Sequence, residues 1–142
     1  MIHVTRNVER DLVAKLTTLS GYRQARWRSV ILYGMAGIGK TTIARALADN
    51  AQIVRAFRDG IAWADGSRDP EEEATRLCLA LNLERAPGER WIECWRRWTG
   101  ASERRLLLII DDAISGEGLA PLIAGLGTQV VVLITTQQGA EI

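Results

Sequence analysis

Between Ser29 and Asn50 the chain reads SVILYGMAGIGKTTIARALADN, and this stretch restricts the possible folds more than any other. Ser29–Tyr33 is a short, almost purely apolar run, as expected of a strand buried on both faces. From about Lys40 to Asn50 the pattern becomes helical. The join is Gly34-Met35-Ala36-Gly37-Ile38-Gly39-Lys40-Thr41, which fits G-x-x-x-x-G-K-[ST]. Glycines let such a loop wrap tightly enough to aim backbone N–H groups inward at phosphate oxygens. The helix that follows adds free N–H groups and the positive end of its dipole. Lys40 supplies a mobile charge for the β and γ phosphates, and the Thr41 hydroxyl is placed to ligate Mg²⁺. Lys15 and Lys40 are the only lysines among 18 basic residues, which sets Lys40 apart.

The rest of the chain alternates strands with helices. Val8, Leu12, Leu16 and Leu19 share a helical face behind Asn7, an expected N-cap, and Ser20-Gly21 ends that helix. Residues 1–28 thus read as a helix and a polar connection leading into the phosphate-loop strand. Ile61–Ala64 is a second strand. Asp69-Pro70-Glu71-Glu72-Glu73 opens a helix with an Asp cap, a proline in the first turn and acids against the dipole. Ala74, Leu77, Cys78 and Leu81 follow on one face, and Ala86-Pro87-Gly88 breaks the helix. Trp91, Trp95 and Trp98 mark another helix, closed by Gly100, whose stripe is read as core packing. Leu106–Ile110 and Val130–Thr135 are two further strands, separated by a short helix over Glu117–Leu126 with Pro121 in its first turn. Wholly apolar strands alternating with helices predict an α/β fold in three layers, α/β/α, around a parallel sheet.

Leu107-Leu108-Ile109-Ile110-Asp111-Asp112 is the second chemical constellation. A carboxylate at the carboxyl end of a strand near a phosphate loop can hold Mg²⁺, usually through water. We assign Asp111 to the metal and Asp112 to the attacking water, which a second carboxylate can orient or deprotonate. The strand and two helices between the motifs suggest the P-loop NTPase arrangement with an additional strand in the sheet. No Asn-Lys-x-Asp motif for guanine occurs, which favours ATP over GTP. The polar tip Thr135-Thr136-Gln137, on a strand beside Asp111, is a candidate sensor of the γ-phosphate.

Composition narrows the alternatives. With 142 residues the chain suits one domain and is too short for two ordinary ones. A net charge of +1 gives no electrostatic reason to expect nucleic acid or an anionic membrane as partner. The amino terminus lacks an apolar signal segment, and Leu106–Ile110 is too short to span a bilayer. Cys78 and Cys94 are expected to be buried thiols in a reducing, cytoplasmic setting. The pairs Arg96-Arg97 and Arg104-Arg105 read as solvated ends.

With these pieces placed, the chain resembles the NB-ARC group of signal-transduction ATPases with numerous domains (STAND), above all its apoptotic protease-activating branch. GMAGIGKTTIA at Gly34–Ala44, LLIIDD at Leu107–Asp112 and VLITT at Val132–Thr136 carry the resemblance, together with His3-Val4-Thr5-Arg6 and the strand at Gly60–Trp63. It extends from Val4 to Gln137 in the same order. The resemblance implies that Val4 and Arg6 contact the adenine and ribose side of the nucleotide. It implies that Gly37, Gly39, Lys40, Thr41 and Thr42 line the phosphates. It implies a switch that holds ADP when closed, exchanges it for ATP, hydrolyses slowly and assembles through further domains outside this chain. Cell death, defence and transcriptional control all use such a module. The family usually has Arg where this chain has Gln137, so the neutral amide brings no charge to that position. Residues 1–142 read as a nucleotide-binding domain incomplete at its carboxyl end, truncated after the fourth strand, with one flank of the phosphate-loop strand left as an edge. The family's ADP-reading histidine lies in the absent part, and His3 does not replace it. Two other readings are a stand-alone P-loop small-molecule kinase and a nucleotide-binding scaffold without hydrolysis. No Arg-rich lid of the kind small kinases carry is visible.

Overall fold

The computed structural model describes residues 6–20, 29–34 and 38–141, and the side chains of residues 10–19, 29–31 and 42–136 within them. Ten elements follow in chain order: α1 (Arg6–Ser20), β1 (Ser29–Gly34), α2 (Ile38–Ala48), α3 (Ala51–Ala56), β2 (Ile61–Asp65), α4 (Pro70–Ala80), α5 (Trp91–Thr99), β3 (Leu107–Ser115), α6 (Gly116–Ile123) and β4 (Val131–Glu141). The strands form one parallel sheet in the order β1-β4-β3-β2. The last strand therefore lies between the phosphate-loop strand and the strand that ends in the acid pair, which is the additional-strand arrangement expected from the sequence. Among the described residues β1 and β2 are the edges of the sheet.

Strict alternation divides the sheet between two cores. Leu107, Ile109, Val131, Leu133 and Val30 face one side with α1, α2 and α3, where Leu16, Ile43, Leu47, Ile53 and Phe57 are buried. Leu106, Leu108, Ile110, Val132, Ile134, Ala62 and Ala64 face the other side with α4, α5 and α6, around Leu77, Trp95 and Leu122. The distribution of helices follows from handedness. The step from β1 to β2 crosses the sheet in one direction, whereas β2 to β3 and β3 to β4 step back in the other. Right-handed crossovers running in opposite directions must place their helices on opposite faces. Three layers result, and the strands read as apolar runs because both of their faces are covered.

Local signals set most boundaries. Asp69 caps α4 by accepting from the Glu72 N–H, with Pro70 as the first helical residue. Ser115 caps α6 by accepting from Gly118 N–H. The Trp helix runs Trp91–Thr99 and ends at Gly100, and Trp95 is wholly buried, as its stripe implied.

Four local expectations are corrected. α1 starts at Arg6, so Asn7 lies inside it and is no cap. The helix read as continuous to Asn50 stops at Ala48. Asn50 then caps a separate α3 by accepting from the Gln52 and Ile53 N–H groups. Pro121 falls in the second turn of α6, which ends at Ile123. The strands also run beyond their apolar cores: β3 continues through the acid pair to Ser115, and β4 to Glu141.

The arginine pairs have specific partners, and although Arg97 is exposed as expected, Arg96, Arg104 and Arg105 are only partly so. Arg104 ion-pairs with Asp59 and lies over the Trp98 ring. The Arg105 backbone N–H donates to Asp59, and its side chain donates to Gln129. Arg97 donates to both carboxylate oxygens of Glu89. Cys78 and Cys94 are buried free thiols. Among the described residues no helix is long and apolar enough to cross a membrane.

Candidate functional site

In a parallel sheet all strands end on the same edge, and in α/β folds that edge is where ligands bind. Here it carries Gly34 of β1, Thr136 and Gln137 of β4, Asp111 of β3 and Asp65 of β2. Tyr33 pairs with Thr136, Gly34 with Gln137, and Asp65 with Asp111. The residues singled out in separate parts of the sequence thus meet along one rim. Gly34 ends β1, and Ile38, Gly39, Lys40 and Thr41 form the first turn of α2, so a strand is followed closely in the chain by a helix, as a phosphate cradle requires. Met35, Ala36, Gly37 and Val4 lie outside the described residues, as do the side chains of Arg6, Lys40, Thr41 and Gln137. Thr42, one residue further along α2, is exposed.

The direction in which each rim residue points follows from alternation. Ile110 and Ile134, paired across β3 and β4, both face the α4–α6 side. The next residues, Asp111 and Thr135, therefore face the opposite side, where α2 packs. Asp111 thus stands on the sheet face from which the phosphate-loop helix rises. Thr136 turns back to the α4–α6 side, is buried, and its hydroxyl donates to Ala113 O at 2.7 Å.

The acid pair interrupts the ladder. Pairing of β3 with β4 runs from Leu107 to Ile110, shifts, and resumes at Ala113 opposite Thr136. Asp112 sits in the irregular stretch with φ at 60°, one of two non-glycine residues with positive φ among those described, and its side chain is exposed. The irregularity reverses the alternation, so Ala113 returns to the α4–α6 core. Thr135 spans the break. It is fully buried, its Oγ1 accepts from the Asp112 N–H at 2.8 Å, and its hydroxyl donates to Asp111 Oδ1. The sequence marks Thr135 as part of the polar tip and a candidate γ-phosphate sensor. Its tie to the acid pair is not legible there, because no local pattern reports a bond between two strands.

The end of β2 buttresses the rim from the other side. Gly66 N–H donates to Asp111 O at 2.6 Å, and a Cβ at Gly66 would stand 2.7 Å from Ala113 Cα, so only glycine fits this approach. Glu73 of α4 is buried and accepts from the Asp65 N–H and from Arg76, which also donates to Trp63 O. Burial opposes charge on Glu73, but the bonds from Arg76 and the Asp65 N–H outweigh it, and its carboxyl stays below the ordinary value. Asp65 is likewise lowered, chiefly by the Ser67 hydroxyl that donates to it.

The donor set suits a hard divalent ion held jointly with phosphate. Mg²⁺ takes one or two protein oxygens and fills its other positions with water and phosphate oxygens. The rim offers the Asp111 carboxylate on the sheet face that α2 covers. Among the described residues no group of three or more His, Cys, Asp or Glu side chains gathers into an all-protein metal cage.

Comparison with known proteins agrees with this geometry. The NB-ARC domain family matches residues 8–140. Among solved structures, Cdc6p from Pyrobaculum aerophilum superposes with a TM-score of 0.59 at 15% identity, over 96% of this chain. The chain spans 41% of that protein, and the likeness is one of fold. No curated protein matches. With that match over most of its length and a parallel sheet that sets the acid-bearing strand two strands from the phosphate-loop strand, the chain belongs to the NB-ARC family and is a nucleotide-binding P-loop ATPase domain.

Proposed function

We propose that this domain is a regulatory switch that binds ADP or ATP with Mg²⁺, hydrolyses ATP slowly and controls the assembly of attached modules. The observation that supports this best is Asp111, which stands on the α2 face of the sheet, two strands from the phosphate-loop strand. In this reading the N–H groups of Gly34–Thr41 and the Lys40 ammonium hold the phosphates, with Thr42 at their edge. Thr41 and Asp111 hold Mg²⁺, which when bound neutralises charge between the β and γ phosphates. Asp112, exposed at the rim, orients the attacking water. Val4 and Arg6 meet the adenine and ribose, and Thr136 and Gln137, opposite Tyr33 and Gly34 on β4, lie nearest the γ-phosphate. Residues 1–142 form the nucleotide-binding part of a larger cytoplasmic protein acting in cell death, defence or transcriptional control. Self-association runs through its other domains, without nucleic acid or membrane as partner.

The test is to identify the nucleotide that copurifies with the protein and then to titrate ATP and ADP with and without Mg²⁺. Retained ADP, or a clear preference for adenine nucleotides, is the expected result. Lys40→Ala should abolish triphosphate binding while far-ultraviolet circular dichroism is unchanged. Unaltered affinity in that variant would remove the phosphate-loop assignment. Absence of any binding by the wild-type protein would leave the fold as a scaffold.

A further inference from the structure

We propose that Thr135 is a positioning residue that sets the geometry of the acid pair for Mg²⁺, an inference that rests on the nucleotide reading above. A hydroxyl has one proton to give and lone pairs to accept with. Here the Asp112 N–H can only donate and Asp111 Oδ1 accepts, so both neighbours hold the Thr135 hydroxyl in one orientation. Its proton lies toward Asp111 Oδ1 and its lone pair toward the Asp112 amide.

Two features show why the bridge is needed. The ladder between β3 and β4 is irregular from Ile110 to Ala113, so the Asp112 N–H leaves the regular strand pairing. Thr135 Oγ1 takes the place of a ladder carbonyl for that N–H and supports the left-handed backbone at Asp112. The same oxygen fixes one carboxylate oxygen of Asp111, and with it the plane of the carboxylate. One fully buried side chain on β4 therefore sets the direction of both acids on β3. Groups that orient a metal-binding carboxylate act on metal affinity through its geometry. Valine at this position keeps the shape and loses both bonds, whereas serine keeps the oxygen.

The experiment compares wild type, Thr135→Val and Thr135→Ser by the ratio of ATP affinities with and without Mg²⁺. Amide hydrogen exchange at Asp112, measured without nucleotide, is the second readout. The expected result for Thr135→Val is a fall in the Mg²⁺ ratio of about tenfold, with Mg²⁺-free binding held within about twofold and faster exchange at Asp112. Thr135→Ser should restore the ratio and the protection. A Thr135→Val protein that folds with an unchanged ratio overturns the proposal. So does a folded Thr135→Ser protein that loses the ratio, which keeps the test open even if the valine variant does not fold. Wild-type protein that binds no nucleotide refutes the nucleotide reading, and the positioning role toward Mg²⁺ with it. Unchanged exchange at Asp112 in Thr135→Val overturns the bridge alone.

Discussion

Asp112 occupies left-handed backbone, which costs an L-residue with a Cβ roughly 1 kcal/mol or more. Asp tolerates this conformation better than most residues, and a β-branched side chain tolerates it worst. Asp112→Gly should therefore leave unfolding stability within about 0.5 kcal/mol of wild type, because relief of strain offsets the extra freedom of the unfolded chain. Asp112→Val should lose about 1–2 kcal/mol. Urea denaturation of the two variants reads the difference directly. A valine variant as stable as wild type would mean that β3 straightens at little cost, and that the turn at the acid pair is not held by the fold. Under the switch reading both substitutions also slow single-turnover hydrolysis, since both remove the carboxylate.

At the scale of elements, α5 is tied to α6 by a buried ring. Trp95 is fully buried, and its Nε1–H donates 2.9 Å to Leu122 O in the last turn of α6, a carbonyl with no helical N–H to accept. Trp95→Phe keeps most of the packing and leaves that carbonyl unpaired, so about 1–3 kcal/mol of stability should be lost in thermal or urea unfolding. Trp95→Ala should cost about 3–5 kcal/mol. Equal losses in the two variants would show that the hydrogen bond matters and the ring volume does not. The same elements show what could be read from sequence. The four apolar strand cores, the Asp69-Pro70 helix start and the buried Trp face were legible because each is a local pattern with one physical meaning. The break at Asn50 was not, because the apolar pattern of α2 runs on through Ile53 into α3. The tails of β3 and β4 were not, because their residues are polar and only pairing across the sheet makes them strands. Along the rim, Asp111 was legible as an acid behind an apolar run. Thr135 was legible as part of a polar tip, but its bonds to the acid pair become visible only when β3 and β4 lie side by side. The hold of Asp59 on Arg104 and Arg105 joins residues far apart in the chain, so those arginines looked solvated.

At the scale of the whole molecule, two groups between α4 and α5 set limits to stability in opposite directions of pH. Burial, reinforced by the neighbouring Cys94 thiol, pushes the Cys78 thiol from an ordinary 9.0 to about 12. The neutral thiol is the favoured form in the fold. Its contribution is complete below about pH 9 and is lost as pH rises toward about 12. Glu89 is drawn down to about 2 by the hydrogen bonds from Arg97, aided by the Ala86 N–H, so its contribution is present above about pH 4.5 and is lost as pH falls toward 2. Stability against urea should thus fall on both sides of a plateau between about pH 5 and 9. Cys78→Ala should flatten the alkaline limb and Glu89→Gln the acid limb. Limbs unchanged by either substitution would place the responsible groups elsewhere.

The position of β1 has a further consequence. Among the described residues its only strand neighbour is β4, the last of the four strands in sequence order, while β2 and β3 pair with each other in the interval. On a ribosome, β2, α4, α5 and β3 can begin to assemble while the strand that leads into the phosphate loop still waits for its neighbour. Every residue from α2 to α6 must be synthesised before that neighbour emerges. Such long-range closure is slow and late in folding. Nascent or cleaved chains that stop short of Val131 should contain much of this architecture with β1 unpaired, so capacity for nucleotide would appear only as synthesis of β4 is completed.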